Sequence, residues 1–274
     1  MYRLIATDLD GTLLNPQHML TPHTISVLQQ AVATGMKLVV ATGRVPYIFH
    51  AIGAQLPLNA PQITNNGAVI IDPHTNSILH NQLVPLDLLG PLLTTLRDFD
   101  LAPCYYTTEN LYVGQALYDL NNWYLAGVPV EITNDMTALF THPCFKVAAY
   151  GDALTIRAKR QELSRIFAGQ LYVTQTAREW LEFMHPQVSK GNALKIVARM
   201  LNIQSEEIIA FGDNHNDIEM LRYAGLGIAM ENAHDEVKNA ASYVTQSNAH
   251  DGVAAALEKF VLASHNDALQ SSSL

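Results

Sequence analysis

The stretch LIATDLDGTLL, residues 4–14, is an apolar run that ends in two aspartates separated by a single leucine. Its apolar part, within residues 2–7, is typical of a strand that is buried on both faces, as in a parallel sheet. Asp8 and Asp10 follow at the point where that strand ends. Two close carboxylates repel each other and raise the pKa of one of them. We therefore expect a bound cation nearby that offsets this repulsion.

Buried strands alternate with amphipathic helices on both sides of this stretch. Thr21 and Pro22 are typical of a helix start, and the segment KLVVAT (37–42) reads as a second buried strand. Residues 62–71 read as a third strand that Asn-Asn-Gly interrupts, and IIAFGD (208–213) as a later buried strand. This alternation predicts an α/β fold with a doubly wound parallel sheet.

The pattern differs in the middle of the chain, over residues 81–186. Strand candidates there are shorter and more polar, and two helical stretches lie between them, within residues 85–99 and 152–169. This composition predicts an α+β domain with an antiparallel sheet. The simplest organisation is one α/β domain, formed by residues 1–80 and 187–274, into which residues 81–186 are inserted.

Composition and charge exclude several classes of partner. The chain has 274 residues, enough for two domains, and a formal net charge of −9 without a basic cluster, so we expect no nucleic acid and no anionic membrane as its main partner. No apolar stretch is long enough to span a membrane. Two cysteines without metal-ligand spacing and the lack of a signal-peptide pattern predict a cytoplasmic protein. The oligomeric state is not indicated by the sequence.

Polar side chains follow several of the predicted strands at their carboxyl ends, where open parallel sheets bind ligands. Because these ends meet at one edge, separate strands bring at least three carboxylates and a hydroxyl together. Oxygen-rich sites of this kind suit a hard divalent cation, above all Mg²⁺. The residues at this edge are Asp8, Asp10, Thr42, Gly43, Arg44, Asp213, Asn216 and Asp217.

The spacing of Asp8 and Asp10 indicates a specific chemistry. Residues two apart in extended chain point the same way, so one carboxylate can attack while the other handles a proton. An aspartate nucleophile is suited to accept a phosphoryl group as a covalent aspartyl-phosphate. Phosphoryl transfer needs mainly positioning and neutralisation of charge, which Thr42 and Lys190 can supply.

Four motifs together resemble those of the haloacid dehalogenase superfamily of phosphatases, and they occur in that family's order. They are DLDGTLL (8–14), ATGR (41–44), SKGNAL (189–194) and GDNHND (212–217). NNGA (65–68) and DGVAAAL (251–257) resemble the Cof-type branch, whose members carry a large α/β cap between the second and third motifs. The resemblance covers nearly the whole chain and implies a Rossmann-like core with a cap at residues 81–186.

The resemblance also implies the catalytic roles. Asp8 would be the nucleophile and a Mg²⁺ ligand, and Asp10 the general acid and base, with its backbone carbonyl on the metal. Thr42 would hydrogen-bond the transferring phosphoryl group. Lys190 would neutralise charge on Asp8 and on the phosphoryl oxygens.

Two further sets of residues complete the expected site. Asp213 would bind the metal, and Asp217 would support it directly or through water. Gly43, Arg44, Asn66 and Asn216 are the candidates for binding phosphate or substrate. For two of them a structural role stays open: Arg44 can instead brace its loop, and Asn66 can simply shape the turn before Gly67.

The implied function is a Mg²⁺-dependent phosphomonoesterase that acts on small phosphorylated metabolites, with sugar phosphates as the expected class. Three alternatives remain on the same fold. They are a sugar phosphomutase or phosphotransferase, a disaccharide-phosphate phosphatase, and a non-catalytic regulatory protein that binds a phosphometabolite. The physiological substrate cannot be read from residues 81–186.

Overall fold

The computed structural model describes residues 1–107, 110–121 and 129–263. The chain divides into two compact units. Unit 1 comprises Met1–His80 and the described residues from Ser189 onward, and unit 2 comprises Asn81–Val188. Residues 264–274, the end of the predicted α/β domain, lie outside the described part of the chain.

The described residues form strands and helices that we number in chain order. The strands are β1 (Leu4–Thr7), β2 (Lys37–Val40), β3 (Gln62–Thr64), β4 (Val69–Ile71), β5 (Ile78–Asn81), β6 (Ala102–Tyr106), β7 (Leu111–Val113), β8 (Val130–Ile132), β9 (Lys146–Tyr150), β10 (Tyr172–Ala177), β11 (Trp180–Met184), β12 (Ile208–Gly212), β13 (Leu226–Ala229) and β14 (Tyr243–Val244). The α-helices are α1 (Pro22–Ala33), α2 (Pro46–Gly53), α3 (Leu86–Asp98), α4 (Gln115–Asn121), α5 (Ala153–Ile166), α6 (Lys190–Met200), α7 (Ile218–Tyr223), α8 (Asp235–Ala240) and α9 (Gly252–Leu257).

Unit 1 is built on a parallel sheet with the strand order β14-β13-β12-β1-β2. In its centre, Leu4 of β1 lies opposite Ile208 of β12 and Lys37 of β2. Every residue of β1 and β12 is buried, as expected for strands that helices cover on both faces. The predicted parallel-sheet α/β fold is confirmed, and β1 ends immediately before Asp8.

The third predicted strand differs from the expectation. Residues 62–71 form an antiparallel hairpin, β3 and β4, in a separate three-stranded sheet with β5. The hairpin meets the end of β2 through one parallel bridge between Ala41 and Ile63. The chain reverses because Asn65, Asn66 and Gly67 all have positive φ, of 50°, 56° and 103°, a conformation that asparagine and glycine tolerate best.

Two helix starts follow directly from the sequence. Thr21 caps α1 by accepting a hydrogen bond from the Thr24 backbone N–H, and Pro22 is the first helical residue. Ser189 caps α6 in the same way, through the Asn192 backbone N–H. Lys190 therefore becomes the first residue of α6.

Unit 2 contains a six-stranded sheet with the order β10-β11-β9-β6-β7-β8. The predicted antiparallel pairing is confirmed for most neighbours, but β7 and β8 are parallel. The sequence pattern missed β8 because this strand is short and two of its three residues are exposed. Unit 2 has its own hydrophobic core, in which leucines of α3 pack with alternate residues of the sheet such as Tyr105, Val147 and Phe183.

None of the helices in the described part of the chain has the length and apolar composition that a membrane span requires.

Candidate active site

The ends of β1 and β12 and the start of α6 bring the first, third and fourth motifs together. Asp8 continues the sheet beyond β1, because its backbone N–H donates to the Phe211 carbonyl at 3.0 Å. The Lys190 ammonium is almost fully buried. It donates to Asp8 Oδ1 at 2.5 Å and to Asp217 Oδ1 at 2.7 Å. One lysine thus holds two carboxylates from different strand ends.

Three carboxylates surround a single point. Asp8, Asp213 and Asp217 each offer an oxygen, and these oxygens lie within 4.8 Å of one another. The Thr12 hydroxyl donates to Asp213 Oδ1 at 2.7 Å. Asp217 Oδ2 accepts from the backbone N–H groups of Asp213 and Asn214, both at 3.0 Å. Threonine and backbone donors therefore orient two of the three carboxylates, and the set of oxygens can hold a hard metal ion.

The electrostatics of this cluster show an excess of negative charge. Burial raises the pKa of Asp8 well above its usual range, and the charges of Asp217 and Asp213 add to it, while Lys190 acts in the opposite direction. Burial also raises the pKa of Asp213. Burial lowers the pKa of Lys190, but the two neighbouring carboxylates outweigh this effect and the net pKa is raised. One ammonium does not compensate three carboxylates, so a further cation would be stabilised here.

The Asp10 carboxylate lies against Arg44 instead of in the three-carboxylate cluster. Arg44 donates from Nε to Asp10 Oδ2 at 2.8 Å and from Nη2 to Asp10 Oδ1 at 2.6 Å. His18 Nδ1 lies 3.4 Å from Asp10 Oδ1. Burial raises the pKa of Asp10, but the hydrogen bonds and charge of Arg44 outweigh it, so the pKa is lowered. The structure therefore pairs the predicted acid with a residue that was a candidate for substrate binding.

The remaining predicted residues lie where the loop after β2 meets the β3–β4 turn. The buried Thr42 hydroxyl accepts from the Arg44 backbone N–H at 3.1 Å. A Cβ on Gly43 would lie 2.9 Å from Asn66 Oδ1, so a larger residue would displace Asn66. Asn216 Nδ2 donates to Asn66 Oδ1 at 2.9 Å. The second motif, the turn and the fourth motif are thereby brought to one place.

One residue of this region, Thr12, was missed by the sequence reasoning, and one turn residue, Asn65, has an unusual environment. Thr12, which orients Asp213, lies inside the motif DLDGTLL, so the motif itself carried the signal. Asn65 is buried, and its side-chain oxygen and nitrogen have no hydrogen-bond partner among the described residues. No feature of the sequence distinguishes Asn65 from an ordinary turn asparagine.

The comparisons with known proteins agree with the motifs. The family described as haloacid dehalogenase-like hydrolase matches residues 5–257. The HMP-PP phosphatase of Serratia proteamaculans is 33% identical over 87% of this chain and 87% of its own length. A 5-amino-6-(5-phospho-D-ribitylamino)uracil phosphatase of Bacillus subtilis is 30% identical over 94% of this chain and 97% of its own.

A solved structure supports the same assignment. A haloacid dehalogenase-like hydrolase from Bacteroides thetaiotaomicron superimposes with a TM-score of 0.84 and is 30% identical, over 94% of this chain and 99% of that chain. The family match spans nearly the whole chain, and the relatives named above are phosphatases. The protein therefore belongs to the haloacid dehalogenase-like hydrolases and is a phosphatase of that family.

Proposed function

We propose that this phosphatase is a Mg²⁺-dependent phosphomonoesterase that hydrolyses small phosphorylated metabolites, sugar phosphates in particular, through a covalent phosphate on Asp8. The observation that carries the proposal is the convergence of Asp8, Asp213 and Asp217, with the buried Lys190 ammonium paired to Asp8 and Asp217. A nucleophilic carboxylate, a fixed cation and further carboxylates at one sheet edge are the groups that phosphoryl transfer to an aspartate requires.

The residues present fit a magnesium ion. The donor set consists of carboxylate oxygens, which Mg²⁺ prefers over nitrogen or sulfur, and their negative charge exceeds that of Lys190. Asp8, Asp213 and Asp217 would hold the ion, together with the Asp10 backbone carbonyl. When bound, Mg²⁺ would neutralise charge on the phosphoryl oxygens, so that an anionic carboxylate can approach an anionic substrate.

The chain's own residues would then act in two steps. In the first, an Asp8 carboxylate oxygen forms a bond to phosphorus while the bond from phosphorus to the leaving oxygen breaks, and Asp10 gives that oxygen a proton. In the second, Asp10 takes a proton from water as the water oxygen attacks phosphorus, and the bond to Asp8 breaks. Thr42 and Lys190 would hold the phosphoryl oxygens through both steps.

Arg44 would have two partners during this cycle. Both Asp10 oxygens accept hydrogen bonds from Arg44 in this structure, and Arg44 lowers the pKa of Asp10, so weakening this pair would favour the protonated Asp10 that the first step needs. An incoming phosphate ester offers the guanidinium a competing anion. Substrate binding by Arg44 and release of Asp10 would therefore be one event.

The substrate class is supported by the relatives. The name of the Bacillus subtilis relative describes a phosphate carried on a ribityl chain, which is a phosphate ester of a polyol. From this name we take only the class of substrate for this protein. It is a small phosphate ester whose leaving group carries hydroxyls, as a sugar phosphate does.

Phosphate release tests the proposal. We would assay a panel of sugar phosphates and an aryl phosphate with Mg²⁺ and with EDTA, using the wild type, Asp8→Asn and a control, Asp72→Asn. Asp72 caps the turn after β4 through its Oδ1, which asparagine retains. We expect turnover that requires Mg²⁺, survives in the control and is lost in Asp8→Asn. Turnover that persists in Asp8→Asn would remove Asp8 as the nucleophile.

A further inference from the structure

Two asparagines from the C-terminal part of unit 1 hold the loop that follows Asp10. Asn232 Nδ2 donates to the Gly11 carbonyl at 2.8 Å, and Asn248 Nδ2 donates to the Leu14 carbonyl at 2.8 Å. The Asn248 backbone N–H in turn donates to Asn232 Oδ1 at 2.9 Å. The Asn232 side chain thus joins Gly11 to the Asn248 backbone, and the Asn248 side chain holds Leu14.

The position of this loop matters for the carboxylate cluster. Gly11 has a φ of +84°, and a Cβ there would overlap the Asp213 carboxylate. The next residue, Thr12, donates its hydroxyl to the same carboxylate. A shift of the Gly11–Thr12 segment would therefore move the orientation of Asp213 as well as that of the preceding residue, Asp10.

A further set of hydrogen bonds holds the chain at the start of α1. Asp251 has a φ of +54°, and its Oδ1 accepts from the hydroxyls of Thr21 at 2.6 Å and Thr24 at 2.9 Å. The motif DGVAAAL begins at Asp251, and the mechanism above leaves that motif without a role. Asn232, Asn248 and Asp251 thus hold this part of the chain at Gly11, at Leu14 and at the start of α1.

We propose that Asn232 and Asn248 are positioning residues that set the placement of Asp10 and Asp213 through the backbone of Gly11 and Leu14. The inference rests on the proposed function in so far as Asp10 and Asp213 act in turnover and metal binding. It goes beyond that function because it assigns part of the rate and of the Mg²⁺ affinity to residues outside the carboxylate cluster.

The chain offers a matched control for ordinary loop bracing. Asn59 makes the same pair of bonds in the same unit: its Oδ1 accepts from the Leu38 backbone N–H and its Nδ2 donates to the Met36 carbonyl, both at 2.9 Å. Asn59→Ala therefore removes an equivalent brace that is not attached to the catalytic loop. We expect it to lower stability while kcat and Mg²⁺ affinity stay at the wild-type values.

The test compares Asn232→Ala and Asn248→Ala with this control by steady-state kinetics, by calorimetric titration with Mg²⁺ alone and by urea unfolding. We expect kcat to fall about tenfold in each variant with little change in KM, because small misplacements of catalytic groups have large effects on rate. We expect Mg²⁺ affinity to fall in Asn232→Ala.

Asn248→Asp keeps the size of the side chain and removes its donor to Leu14, so it guards against an alanine variant that fails to fold, and we expect the same loss of kcat. The proposal is overturned if all variants match Asn59→Ala in kcat and in Mg²⁺ affinity. Failure of the proposed function is seen separately, as wild-type turnover that survives Asp8→Asn. The Mg²⁺ titration tests the positioning role in that case as well.

Discussion

Arg44 donates hydrogen bonds to both oxygens of the Asp10 carboxylate. From this pair we predict how the stability of the folded state depends on pH. Burial raises the pKa of Asp10, but the hydrogen bonds and charges of Arg44 and, to a smaller extent, of His18 outweigh it, so the pKa is lowered. A carboxylate with a lowered folded pKa stabilises the folded state above its unfolded pKa. That contribution is lost as the pH falls through the folded pKa.

We therefore expect Arg44→Met to be less stable than the wild type at pH 7, and the difference to shrink below about pH 4. The loss should be under about 1 kcal/mol, because the Asp10 side chain is 41% exposed and solvent screens the pair. Urea unfolding in EDTA at pH 7 and pH 3 measures both values. A difference of equal size at the two pH values would contradict the assignment.

For the site residues, the sequence predicts which side chains lie near one another. It does not predict which of them form hydrogen-bonded pairs. The strand ends predict that Asp8, Asp213 and Asp217 lie at one sheet edge, and the structure brings their carboxylates together. The contact of Arg44 with Asp10 depends on the path of the loop after β2. Because that loop is shaped by tertiary contacts with the β3–β4 turn, the residue pattern does not reveal the pair.

The β3–β4 turn and the start of α6 are in tight contact, which makes Gly67 sensitive. Gly67 has a φ of +103°, and a Cβ on it would lie 2.7 Å from the Ser189 carbonyl carbon. Gly35 provides the control, since its φ is +99° and nothing lies within 4 Å of its Cβ position. In both alanine variants the positive φ strains the backbone by about 1–2 kcal/mol. Only in Gly67→Ala does the new Cβ also overlap the Ser189 carbonyl group.

We expect Gly67→Ala to lose clearly more stability than Gly35→Ala, and to lose activity, because Ser189 caps the helix that begins with Lys190. Urea unfolding and phosphate release on the two variants would show this. Equal losses of stability, with activity intact in both, would mean that the turn and α6 adjust to each other freely.

The six-stranded sheet of unit 2 contains a buried ion pair between neighbouring strands. Lys146 Nζ of β9 lies 2.6 Å from Glu182 Oε1 of β11 and 4.4 Å from the centroid of the Tyr106 ring. Removing one partner of a buried ion pair costs about 3–5 kcal/mol. We expect Lys146→Met to lose this much, and Lys146→Met/Glu182→Leu to recover most of it.

A double-mutant cycle measured by urea unfolding checks this expectation. The coupling free energy between the two substitutions should be large because the two side chains are in direct contact. Additive losses from Lys146→Met and Glu182→Leu would show that the pair does not act as a unit.

Elements with a strong pattern were predictable, and short ones were not. The buried run of β12 and the capped start of α1 carry clear signals, and both are present. The parallel strand β8 has three residues and little burial, so neither periodicity nor composition marks it. Residues 62–71 form a hairpin instead of the expected single strand. The reason is that Asn65, Asn66 and Gly67 all have positive φ, so the backbone cannot stay extended there.

At the scale of the whole molecule, the chain consists of two units with separate hydrophobic cores. All predicted site residues lie in unit 1. We propose that unit 1 is the catalytic core and that unit 2 is the inserted cap domain. Because unit 2 has its own core, we expect Asn81–Val188 expressed alone to unfold cooperatively in urea. A gradual, non-cooperative transition of this fragment would contradict its independence.

Transfer through Asp8 requires two successive in-line displacements at phosphorus, and each inverts the configuration. The most direct measurement is the stereochemical course of hydrolysis, in H₂¹⁷O, of a phosphorothioate monoester that is chiral at phosphorus through sulfur, ¹⁶O and ¹⁸O. The covalent intermediate on Asp8 predicts net retention of configuration in the released thiophosphate. Inversion would show that water attacks the substrate directly, and would contradict Asp8 as the nucleophile.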